Sequence, residues 1–78
     1  MIETIDDFQV VPGSAVIGER ASKINEKYNV RVLRIYTLPE KSSKPLDRLI
    51  EERDYIKVHG SYENVTKLLK DATTKHII

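Results

Sequence analysis

A chain of 78 residues, 40% hydrophobic and 32% charged, has room for one folded domain, and a domain of that size buries only about 60% of the surface its unfolded chain exposes. The lack of cysteine excludes a disulfide framework, a thiolate zinc site and a cysteine nucleophile. Thirteen basic against twelve acidic residues leave a formal net charge of +1, which excludes long-range attraction to a polyanion unless the charges segregate. No apolar run approaches the roughly 20 residues of a membrane-spanning helix, and the acidic opening Met1 to Asp7 reads against a basic signal peptide.

Phe8 and Val10 alternate with Gln9 and stop at Pro12-Gly13, which predicts a first strand running into a turn. Ile17, Ala21, Ile24 and Tyr28 then recur at helical spacing among charged residues, predicting an amphipathic helix of about ten residues. Gly18 and Glu19 suit its positive end, Lys27 its negative end, and Asn29 a left-handed close. Val30 to Thr37 is rich in β-branched residues and apolar on both parities, as in a central strand covered on both faces. Arg31 and Arg34 have opposite parity, so regular pleating sends them to opposite faces.

Leu38 to Pro45 has the composition of a loop, and Leu46, Leu49 and Ile50 suggest a brief third strand. After a charged turn at Glu51 to Asp54, Ile56 and Val58 alternate with Tyr55, Lys57 and His59 in a strand with one buried face, closed by Gly60. Ser61 is a favourable N-cap, and Tyr62, Val65, Leu68, Leu69 and Ala72 form the apolar stripe of a second helix. The tail from Thr73 is expected to fray, with Ile77 and Ile78 available to dock on a neighbour. The order is β-α-β-β-β-α, an α+β fold of two helices on a small mixed sheet, in a single domain over residues 1–78 with its core at about 6–72.

Several constellations bear on chemistry. Gly13 and Gly18 lack both the dinucleotide-binding spacing and the Lys-Ser/Thr ending of a P-loop, so they read as a turn and helix start. Ser14 with His59 or His76 nominally supplies a nucleophile and a base, but so does almost any sequence of this length, and no catalytic site is assigned. Glu51, Glu52 and Asp54 lack the ligand spacing of a calcium loop and read as a solvated turn. Lys23, Lys27, Arg31 and Arg34 with Tyr28 and Tyr36 form the best case for a nucleic-acid surface, cations meeting phosphate and tyrosines stacking on bases. Strand parity splits the arginines and Tyr28 is expected in the core, so solvated cations are the preferred reading and nucleic-acid binding the alternative.

Three stretches together, Val10-Val11-Pro12-Gly13-Ser14-Ala15-Val16-Ile17-Gly18-Glu19, Tyr28-Asn29-Val30-Arg31-Val32-Leu33-Arg34-Ile35 and Asp54-Tyr55-Ile56-Lys57-Val58-His59-Gly60-Ser61, with Ile24 between the first two, resemble the TrkA-C domain. That domain is the C-terminal lobe of regulator-of-potassium-conductance (RCK) modules. Arg53 stands where the family pattern has a hairpin glycine, at a cost of about 1 kcal/mol if the position is left-handed. The dinucleotide-binding glycines of the family's N-terminal lobe are not in this sequence.

The resemblance implies a non-enzymatic, ligand-sensing homodimer that regulates potassium or other cation and solute transport. It acts through protein contact with a channel or transporter subunit, without inserting in the bilayer, at the cytoplasmic face of the cell membrane. No cofactor is fixed by it, and the regulatory ligands it implies are cyclic dinucleotides, nucleotides or divalent cations. The site it implies comprises Ile24, Asn25, Tyr28, Arg31 and Pro45 beside a two-fold interface: Arg31 pairs with an anionic group, Asn25 hydrogen-bonds it, and Ile24 and Pro45 give apolar contact. The family's nucleotide-binding pattern carries its arginine near the position of Asn25, whereas here the arginine is on the strand.

Overall fold

The computed structural model describes residues 2–40 and 42–73, so the expectations placed on His76, Ile77 and Ile78 lie outside the described residues. The elements run β1 (Glu3–Gln9), α1 (Ala21–Tyr28), β2 (Arg31–Thr37), β3 (Ser42–Lys44), β4 (Tyr55–Ser61) and α2 (Tyr62–Ala72), the expected β-α-β-β-β-α order. The strands form one four-stranded sheet in the order β1-β4-β2-β3. Every ladder is antiparallel, whereas a mixed sheet was expected.

In β4 the buried Ile56, Val58 and Gly60 alternate with half-buried Tyr55, Lys57, His59 and Ser61. The buried set joins Phe8, Val32 and Ile35 of the neighbouring strands and Ile24, Tyr28, Val65 and Leu68 of the two helices in one core cluster. Both helices therefore cover the same face of the sheet, and β2 has one covered face rather than the expected two. The opposite face carries Ile5, Asp7, Lys57, His59 and the β2 residues paired with them.

α1 begins four residues later than Ile17 predicts. Gly18 has φ +84°, a conformation no helical residue adopts, so Ile17 falls in the preceding turn and is 38% exposed. Its C-cap Asn29 is left-handed at φ 54° and returns its N–H to the Asn25 carbonyl, as expected. α2 is capped by Ser61, whose hydroxyl accepts the Asn64 N–H at 3.2 Å, but Tyr62 lies off the apolar stripe and is exposed.

The third strand is Ser42–Lys44, ahead of Pro45, and not the segment around Leu46 and Leu49, which are both exposed. Ile50 earns its apolar character differently. Its N–H donates to the Glu19 carbonyl and its carbonyl accepts the Gly18 N–H, each at 2.8 Å, while Val10 exchanges backbone bonds with Arg53 and Asp54. Four hydrogen bonds thus join the loop before α1 to the loop before β4, with Val10, Val16 and Ile50 buried along the join.

Candidate functional site

The register of β2 against β4 slips between Val32 and Arg34, so Leu33 is an extra residue in a β-bulge. Ahead of the bulge Arg31 pairs with His59, and past it Arg34 pairs with Lys57 and Tyr36 with Tyr55. His59, Lys57 and Tyr55 share one face of β4, so Arg31 and Arg34 share it too. This corrects the expectation that their parity sends them to opposite faces: a bulge adds one residue and inverts the parity of everything after it.

The open face therefore carries an ordered array. Arg31, Arg34, Lys57 and His59 form a two-by-two block of basic groups in direct cross-strand pairing. Beside it the Tyr36 and Tyr55 rings stack with centroids 5.3 Å apart and 18° between planes, and the Arg34 guanidinium lies 4.8 Å from the Tyr36 centroid. The Arg34 Nε–H donates to Ser43 Oγ at 2.6 Å. On the β1 side, the Tyr36 hydroxyl donates to Asp7 Oδ2 at 2.6 Å, and this bond, ahead of desolvation, raises the Tyr36 phenol above its ordinary pKa. Glu3 lies 3.6 Å from His59 Nε2.

The five residues implied as a ligand site do not meet in one hollow of the single chain. Arg31 is exposed and lines an open hollow of about 290 Å³ with Asn29, His59 and Asn64. Asn25 lines a different one, about 300 Å³, with Arg20, Leu46 and Asp47, next in the chain to the exposed Pro45. The Asn25 Oδ1 accepts the Val32 N–H at 2.7 Å, tying α1 to the start of β2. Ile24 is 1% exposed and packs in the core, so in one chain it has no surface to give a ligand. Tyr28 is likewise buried, and its hydroxyl donates to Asp71 Oδ2 at 2.8 Å; burial first and that carboxylate second push its phenol up to about 12.

The other constellations resolve as structure. The Ser14 hydroxyl is buried and accepts the Val16 N–H at 3.2 Å, serving the turn. Asp54 is not the solvated turn residue its neighbours suggest. It is 3% exposed, accepts the Glu51 N–H at 2.9 Å and holds the Lys44 ammonium at 2.8 Å. Burial, the largest single influence, pulls Lys44 down, but its bonds to Asp54 and Glu51 outweigh it and leave the ammonium raised. Among the described residues no cluster of three or more His, Asp or Glu side chains could hold a metal ion, and no helix is long and apolar enough to cross a membrane. Arg53 has φ 71°, the left-handed position that the family pattern fills with glycine.

Neither a family profile nor a curated protein sequence matches the chain. Among solved structures the chain is similar to the crystal structure of the GsuK RCK domain, with TM-score 0.62 and 12% identity over 90% of this chain and 16% of that one. At that identity the likeness establishes the fold: a small α+β domain of the architecture found within an RCK structure. The chain spans about one sixth of that neighbour's length.

Proposed function

We propose that this chain is a non-catalytic regulatory module of the RCK type, the C-terminal TrkA-C lobe, which senses a small ligand as a homodimer and regulates potassium or other cation transport. The observation that carries this reading is the RCK likeness over 90% of the chain, joined to the order of its turn, helix and strand motifs. Its partner is a membrane channel or transporter subunit reached through protein contact at the cytoplasmic face.

Arg31 is the residue that meets the anionic part of the ligand, because it is exposed at the lip of a hollow. Asn25 acts partly through position, since its side-chain Oδ1 accepts the Val32 N–H and fixes the start of the strand bearing Arg31. Pro45 contributes surface, while Ile24 and Tyr28 set the helix from behind. In the homodimer, a ligand favouring one arrangement of the subunits shifts the population toward it.

The test is a thermal-shift screen against cyclic dinucleotides, adenine nucleotides and divalent cations. A ligand at 100 times its dissociation constant adds about 2.7 kcal/mol, which raises the midpoint of a domain this size by on the order of ten degrees. Arg31→Ala should lower affinity at least tenfold while leaving the ligand-free midpoint unchanged. No shift with any of these ligands, or unaltered affinity in that variant, overturns the assignment.

A further inference from the structure

Placing like charges directly opposite each other across a sheet is destabilising, yet β2 and β4 do so where Arg34 meets Lys57, one row along from Arg31 opposite His59. The bulge at Leu33 creates this arrangement, since regular pleating would have separated the two arginines. The acidic groups on the same face, Glu3 and Asp7, belong to β1: Asp7 is the cross-strand partner of Lys57 and accepts the Tyr36 hydroxyl, Glu3 lies 3.6 Å from His59 Nε2, and Arg31 and Arg34 stand one strand further away on β2. Overall charge near neutrality thus conceals an uneven face, acidic along β1 and basic along β2, with Lys57 of β4 lying between Asp7 and Arg34.

An aromatic pair adjoins the block. Tyr36 and Tyr55 follow Arg34 and Lys57 in register, stacked on each other and half-exposed, with the Arg34 guanidinium against Tyr36. Cations that track a backbone beside aromatic rings that receive bases are the two elements of single-strand nucleic-acid recognition on an open sheet. The spacing suits it: rows of paired residues recur about every 7 Å along a strand, close to the separation of phosphates in an extended single strand.

We infer that the open face of the sheet binds single-stranded nucleic acid, phosphates lying along Arg31, Arg34 and Lys57 and a base stacking on Tyr55. The site shares Arg31 with the regulatory reading above but does not rest on it, because it needs no dimer and no closed hollow. A duplex fits it poorly: its bases are already stacked and offer Tyr55 no free face. The three cations set the salt dependence. Each phosphate neutralised on a single strand contributes about 0.7 to the slope of log affinity against log salt, so the full site gives a slope near −2.

The experiment is fluorescence anisotropy of a labelled oligothymidylate titrated with the whole chain at several salt concentrations, with a duplex of equal length and tripolyphosphate as competitors. Lys57→Ala and Arg34→Ala should each reduce the slope by about 0.7, and Tyr55→Leu should weaken binding about tenfold at unchanged slope. Circular dichroism confirms that each variant is folded, and Arg34→Lys, which keeps the charge, should keep the slope. Absence of binding, equal affinity for duplex, full displacement by tripolyphosphate at matched charge, or loss of affinity without change of slope in the lysine and arginine variants each overturns the inference.

Discussion

Replacing Arg53 by glycine isolates one strained backbone position. Arg53 holds φ 71°, its N–H donates to the Val10 carbonyl at 2.8 Å and its own carbonyl accepts the Gln9 side-chain amide at 3.4 Å. The bonds are made by the backbone and the side chain is exposed, so glycine deletes no packing. An L residue in the left-handed region pays about 1–2 kcal/mol, of which glycine returns about 0.5–1 kcal/mol through its freer unfolded chain. At the middle of both ranges the net gain is about 0.75 kcal/mol, equivalent to a midpoint rise of about 3–6 °C for a domain this small. Arg53→Ala keeps the φ and should melt within a degree of the parent, separating strain from side-chain chemistry. Scanning calorimetry of the three proteins at neutral pH decides it. A glycine variant melting at or below the parent, or an alanine variant matching the glycine one, refutes the argument from backbone strain.

Three further outcomes rest on the core and its polar groups. Gly60→Ala would place a methyl 3.0 Å from Val30 Cγ1 and should cost about 1–3 kcal/mol by overpacking, with Val30→Ala in the same chain recovering part of it in a urea-denaturation double-mutant cycle. Asp54→Ala strands the Lys44 ammonium and the Glu51 N–H and should cost about 1–3 kcal/mol, less when Lys44→Met removes the other partner. The Tyr28 phenol titrates near pH 12 when folded and near 10 when unfolded. Folding therefore favours its protonated form: the contribution is complete below pH 10 and disappears as pH rises to about 12. Urea midpoints across that window should fall more steeply for the parent than for Tyr28→Phe; parallel curves would contradict the assignment.

Where local chemistry decides structure, the residues announce it. The Ser61 cap, the left-handed Asn29 and the alternation of Ile56 and Val58 each act within a few neighbours, and each stands as the sequence indicates. The errors lie where distant segments decide. Ile17 has helical spacing from Ala21, but Gly18 takes a positive φ because its N–H is claimed by Ile50. Asp54 reads as one more charge in an acidic turn until Lys44 arrives from β3.

The bulge at Leu33 is the costliest omission for function. Nothing in Val30 to Thr37 marks an extra residue, since Leu33 is as fit for a strand as its neighbours, and the slip follows from how β2 meets β4. Parity arguments hold only while pleating is regular. The open-face array of Tyr55, Lys57 and His59 was visible in the alternation of β4, but its arginine complement was not.

The strand order also governs how the domain can be assembled as it is made. β1 emerges first, yet its ladder is with β4, Phe8 opposite Ile56, and β2 also leans on β4, Val32 opposite Val58. Among the described strands the β2–β3 hairpin is the pairing that closes a short loop; the others must wait for Tyr55–Ser61 and bear the larger entropy of closing a long one. A nascent chain halted before β4 lacks the strand that both β1 and β2 pair with, so the body of the sheet cannot form until that strand arrives. Any partner that needs the sheet must therefore wait for β4.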